Sequence, residues 1–186
     1  LLSTTMGGPG VYPPQPPGIY ILTQQKKAWP ESQGDARYRR TMYTFFWRSS
    51  PYPLMPTFDA PGATTACTRR SRSNTPLQAL MLANDRAFFE FAQGLASEII
   101  KADISQDEQR LVYAFRRSLS RIPSEQEMKR LQDFFELQRE HFKSTPADAA
   151  MVAPTDRPDD FPLEDAAAWT AVSRVLFNLD EFITRE

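Results

Sequence analysis

RRSRSNTPLQALMLAND, residues 69–85, packs three arginines, an Asn-Thr-Pro and an apolar run into one short stretch. Thr75 precedes Pro76, and Gln78 lies three residues after Thr75. That is a T-x-x-Q capping box with proline at the first helical position. The threonine hydroxyl can accept from the Gln78 amide, and the glutamine side chain can return to the Thr75 amide. The spacing therefore predicts a helix starting at Pro76. Carried on without a break, that helix puts Leu77, Met81, Phe88, Ala92, Leu95 and Ile99 on one face. Asn84 falls on the same face, and a buried amide is costly unless hydrogen-bonded. Either the helix breaks at Asn84-Asp85, with one of the two capping a second helix, or Asn84 is a satisfied core amide. The break is the expectation. Capping explains NTPLQ but not the arginines before it.

Downstream, SQDE at residues 105–108 and SEQE at residues 124–127 read as two more capping boxes. The first opens a helix with Leu111, Phe115 and Leu119 on one face. The second opens a longer one with Met128, Leu131, Phe135 and Phe142 inward. SRIPS between them is a short helix–helix connection, which predicts neighbouring helices. Residues 144–162 hold Pro146, Pro154, Pro158 and Pro162 and read as a mobile loop. LEDAAAWTAVSRVLFNL is a final helix, acidic in its first turn as the helix dipole favours. It is rich enough in Ala, Val, Leu and Trp to be central.

Upstream, GGPGVYPPQPPGIY (residues 7–20) carries five prolines and four glycines, which no helix or central strand tolerates. Residues 1–34 are read as an extended arm, docked through Tyr12, Ile19 and Tyr20. DARYRRTMYTFFWR is expected to be a short helix capped by Asp35, with Tyr38, Met42, Phe45 and Phe46 on one face, although its Thr, Tyr, Phe and Trp also favour strands. Arginines among aromatics suit nucleic acid, but no recognition module accompanies them. An aromatic core with exposed arginines is expected, and no nucleic-acid partner. Residues 49–73 hold four prolines and form a long loop, with a turn at TFDAPG. The fold expected is all-α: about five helices in an irregular bundle over residues 35–186, behind the Pro/Gly-rich arm.

The 186 residues suffice for one domain with a core, and 41% hydrophobic with 24% charged residues argues against wholesale disorder. No run approaches the roughly 18 apolar residues that span a bilayer. The start Leu1-Leu2-Ser3 leads us to expect a chain that begins inside a larger protein. One cysteine, Cys67, and one histidine, His141, leave no disulfide, thiolate zinc cluster, CxxCH haem attachment or multi-histidine metal site within this sequence. Cys67 is expected to be a small buried residue and His141 a solvated helix position.

The net charge of −1 is uneven. Residues 26–72 hold nine basic and three acidic residues, a net of +6; residues 73–186 hold 13 basic and 20 acidic, a net of −7. The polar positions with some specificity are Asp59, Arg69, Arg70, Arg72, Asn74, Gln78, Asn84 and Asp85. Loop arginines at a helix start can clamp an anion. They can equally tie the loop to carboxylates such as Asp180 and Glu181, and the tie is the expectation, because partly buried charges need partners.

The order GGP…PPQPPGIY, YRRTMYTFFWR, TFDAP, C…RR…NTPLQAL…ND, PSEQE and NLDEF resembles the C-terminal half of a planctomycete-type domain of unknown function. That domain follows planctomycete cytochrome c domains in large exported bacterial proteins. The resemblance implies export and a haem elsewhere in the parent polypeptide; no cofactor is expected in this segment. Two functions remain open. The leading one is a non-catalytic structural or interaction module whose partner is the rest of its own polypeptide. The other is the C-terminal part of an enzyme acting on polysaccharide or another anionic polymer, with the arginine-rich loop as binding surface.

Overall fold

The computed structural model describes residues 2–20, 28–64 and 66–184. Expectations that involve Lys26, Lys27, Arg185 and Glu186 lie outside that set. The described residues are mostly helical and contain no strand, only two isolated bridges. Eight α-helices are present among them: α1 (Leu54–Thr57), α2 (Pro76–Asn84), α3 (Arg86–Lys101), α4 (Asp107–Leu119), α5 (Glu125–Ser144), α6 (Pro146–Val152), α7 (Leu163–Phe177) and α8 (Asp180–Ile183). The chain groups into two compact units, Leu1–Phe88 and Phe89–Glu186.

The second unit holds an aliphatic and aromatic core. Helix α7 is largely buried, with Ala166, Ala167, Ala168, Trp169, Val172 and Leu176 each at zero exposure. It packs on α4, α5, α6 and α8, the central position its composition predicts. The Trp169 and Phe135 ring centroids lie 4.4 Å apart. From α3 come Ala92, Leu95, Ala96, Ile99 and Ile100; from α4, Leu111, Ala114 and Phe115; from α5, Leu131 and Phe142. Helices α4 and α5 pack together, as the short connection requires.

The capping boxes divide. Ser124 caps α5: its hydroxyl accepts from the Glu127 amide at 3.4 Å, and Glu127 Oε2 accepts from the Ser124 amide at 2.7 Å. Ser105 does not cap α4. That helix starts one residue later, with Gln106 at its N-cap and no side-chain cap bond. Its first residue, Asp107, accepts from Arg139 at 2.5 Å. Residues 144–162 are not simply a loop. PADAAMV forms α6, because Pro146 sits at the permitted first position and alanines favour helix.

Charge reinforces this unit. Arg139 donates to Asp107, to Asp165 at 2.8 Å and to Glu136 at 2.9 Å. Burial pushes the Asp165 carboxyl up even so, more than the nearby guanidinium lowers it. Arg121 bridges Glu127 (2.6 Å) and Glu181 (2.7 Å). With Arg121 as the main cause, Glu127 falls from 4.5 to about 2. A depressed carboxylate contributes stability that is present above its unfolded pKa and is lost as pH falls through the folded one. Part of the acid destabilisation between about pH 4.5 and 2 should therefore vanish in Glu127→Gln, read as Tm against pH. Parallel Tm curves for the two proteins across that window would refute the assignment.

The first unit is organised by aromatics and backbone bonds. The rings of Trp29 and Tyr52 stack at 5.6 Å, those of Tyr12 and Phe45 at 5.0 Å, and Trp29 meets Tyr12 edge-on at 5.0 Å. The Pro/Gly-rich segment pairs in parallel with the segment after residue 37 through the bridges Ser3–Arg39 and Val11–Thr44. Arg39 lies 3.7 Å from the Tyr43 ring centroid and donates to the carbonyls of Thr5 (2.9 Å) and Gly7 (2.5 Å). Gly8 lies under this guanidinium at a φ of +92°, where a Cβ would come within 3.3 Å of Nη1.

Residues 35–48 are not an α-helix. They form two short 3-10 turns, Gly34–Tyr38 and Thr41–Tyr43, joined by extended backbone. Asp35 lies inside the first and does not cap it. The strand-favouring Thr, Tyr and Phe here satisfy backbone groups against residues 2–12 instead. Met42 is accordingly 70% exposed. Arg37, expected on the surface, is buried and ion-paired with Glu31.

Candidate functional site

The polar cluster is built where α1 and α2 approach each other in the first unit. Thr75 and Gln78 form the capping box in full: Thr75 Oγ1 accepts from the Gln78 amide at 3.3 Å, and Gln78 Oε1 accepts from the Thr75 amide at 2.9 Å. Gln78 also reaches across the loop. Its Nε2 donates to the Thr57 carbonyl at 2.9 Å and to Ser73 Oγ at 3.0 Å. The side chain is 1% exposed, and both its donor and its acceptor ends are used. This inward pull sets the phase of α2. Gln78 and Leu82 face in, while Leu77 and Leu80 are 56% and 57% exposed. The uninterrupted apolar face that begins at Leu77 is therefore corrected.

Asp59 closes the other side. Its Oδ2 accepts from the Ser73 amide at 2.8 Å and from the Ser73 hydroxyl at 2.7 Å. Its φ of 55° is in the left-handed region, which aspartate tolerates better than most residues, and the turn read from TFDAPG is thereby present. Arg70 lies over the same turn. Its Nη2 donates to the Phe58 carbonyl at 2.8 Å and its Nε to the Asp59 carbonyl at 3.1 Å. So this arginine ties the loop down, but through backbone carbonyls; a carboxylate partner from after residue 73 was expected for at least one of the arginines. Carbonyls capping a short helix and turn are unsatisfied acceptors, which a guanidinium fork fits. Of the two carboxylates suggested for the arginines, Glu181 is held by Arg121.

Arg69, Arg72 and Asn74 are exposed. Helix α2 stops at Asn84, so the break is confirmed. The Asn84 side chain is exposed and donates back to the Leu80 carbonyl at 3.0 Å. Asp85 is the buried member of the pair, 6% exposed, and its Oδ1 accepts from the Ala87 amide at 2.8 Å, capping α3. Cys67 is exposed, not buried; its loop has no core to enter. His141 is exposed, as expected.

Two participants were not singled out beforehand. Ser73, two residues before the N-cap, bridges Asp59 and Gln78, and only its small hydroxyl type hinted at a role. Thr57 contributes a carbonyl, for which side-chain identity carries no signal.

Chemically the cluster is bonded mostly to itself. Asp59 Oδ2, the Ser73 amide and hydroxyl, and both ends of the Gln78 side-chain amide already meet neighbours in the chain. A surface hollow of about 760 Å³ in the same unit is lined by Gln15, Tyr20, Trp29, Glu31 and Arg86, among others, and shares no residue with the cluster. Among the described residues, no group of three or more His, Cys, Asp or Glu side chains could hold a metal ion. No helix among them is long and apolar enough to cross a membrane.

Fold and cluster together define a mostly helical chain whose first unit holds an interlocked loop-and-cap network. Residues 1–135 match the family model of PSD1, described as a protein of unknown function (DUF1553), and the chain belongs to that family. No curated protein and no solved structure matches it.

Proposed function

We propose that this chain is a non-catalytic structural or interaction module of a larger exported bacterial protein of the planctomycete type. One observation carries the reading: Asp59, Arg70 and Gln78, the candidates brought together, spend hydrogen bonds on other groups of the same chain. A catalytic carboxylate or an anion-clamping arginine needs free hydrogen-bonding capacity at a reachable surface. Membership of a family of unknown function is consistent with this. In this reading residues 1–34 serve as the arm of a helical body at residues 35–186. The rest of the polypeptide is the partner, and any haem belongs to another part of it.

Arg70→Ala tests the proposal. Losing two charge-assisted bonds to carbonyls should cost about 1–2 kcal/mol, seen as a lower thermal midpoint. Binding of the wild-type chain to a sulfated or carboxylated polysaccharide, titrated at low salt, should be absent. Unchanged melting together with a salt-sensitive polymer affinity that the substitution abolishes would favour the polymer-acting enzyme instead.

A further inference from the structure

We propose that the Arg69–Arg70 peptide bond is a cleavage site for a trypsin-like, arginine-specific endopeptidase, and that the cut chain stays together. Every described residue from 61 to 72 is exposed, and none of them is helical or bridged. A protease must draw an extended stretch of backbone into its groove, and exposed loops of small polar residues yield that most readily. No acidic side chain lies between Ala60 and Asn74 to oppose the aspartate that reads arginine in such a protease.

Three arginines compete within the loop, and the contacts rank them. Arg70 is held at the Phe58 and Asp59 carbonyls, 2.8 and 3.1 Å away, so its side chain must be released before it can enter a specificity pocket. Arg72 also has contacts of its own. The Arg69 guanidinium has no hydrogen bond or ion pair among the described residues. Its carbonyl accepts only a weak bond from the Cys67 thiol at 3.4 Å. Hydrolysis breaks the Arg69–Arg70 C–N bond, adding the hydroxyl of one water to the Arg69 carbonyl carbon and its hydrogen to the Arg70 nitrogen.

The two banks of the cut are clipped together inside the first unit. Asp59 holds Ser73, Thr57 holds Gln78, Glu31 lies 3.7 Å from Arg86, and the Phe58 and Phe88 rings meet at 5.6 Å. Among the other described basic positions, Arg37 is buried, Arg39 is bonded to the arm, Arg157 precedes a proline, and the exposed Arg40 and Arg48 sit beside or within short turns and not in a long exposed stretch.

The test is trypsin at low ratio on the whole chain in native buffer, followed by intact mass and gel filtration. The first products should be residues 1–69 and 70–186, eluting together and separating only in denaturant. Arg69→Gln should slow the first cut at least tenfold, while Arg69→Lys keeps it. A first cut at any other bond, including after Arg70 or Arg72, would overturn the proposal. So would an unchanged rate in Arg69→Gln, or products that separate as soon as they form.

Discussion

Trp169→Ala should unfold in urea with a loss of about 3–5 kcal/mol, the largest effect of any single truncation considered. The indole has no exposed surface and sits on a helix that packs against α4, α5, α6 and α8. The three residues before it on α7 are alanines, Ala166 to Ala168, which cannot extend into the space left behind, so the cavity term adds to the lost transfer energy. The Phe135 ring, 4.4 Å away, would lose its stacking partner as well. Trp169→Phe should cost much less. It keeps a ring against Phe135 and removes an indole N–H that has no bonding partner among the described residues. Circular dichroism at 222 nm follows the transition without relying on the deleted fluorophore. A loss under 1 kcal/mol for the alanine variant would mean that α7 is not the close-packed centre of this unit.

The second large effect belongs to Gln78. Gln78→Ala should cost on the order of 2–4 kcal/mol, because it strands the Thr75 amide and the Thr57 carbonyl together and takes a donor from the Ser73 hydroxyl. Cap loss alone would cost only about 1 kcal/mol. The excess is therefore the signature of the link to Thr57 and Ser73. Gln78→Glu separates the two roles. It keeps an acceptor for the Thr75 amide but has no donor for Thr57 when ionised, and it adds a charge beside the group that Asp59 already holds. Its stability at neutral pH should lie below that of wild type and recover in part as the carboxyl protonates. A cost near 1 kcal/mol for Gln78→Ala, equal to that for Thr75→Ala, would show that only the cap matters.

The contrast between Thr75–Gln78 and Ser105–Glu108 shows how far local signals reach. Both are capping boxes in the sequence. The first forms, and its Gln78 bonds Thr57 and Ser73 as well; in the second the helix starts one residue later, where Asp107 meets Arg139, a residue 32 positions away. Residues 35–48 misled for a related reason. Their aromatic spacing fits a helix, but the partner that decided their conformation was the Pro/Gly-rich segment, through backbone bonds at Ser3 and Val11. Neither long-range partner leaves a mark in the local pattern.

The sequence by itself determined the helical class, the start of α2 at Thr75-Pro76, the break before α3, the cap of α5 and the central place of α7. Each of these rests on contacts within a few residues, or on a composition so apolar that burial is forced. Only the tertiary structure decided that Gln78 turns inward and Leu77 outward, that Arg37 is buried and Cys67 exposed, and that Arg70 binds carbonyls. Those outcomes depend on which backbone groups Thr57, Phe58 and Asp59 leave unsatisfied near the helix start, and a carbonyl looks the same in every residue of the sequence.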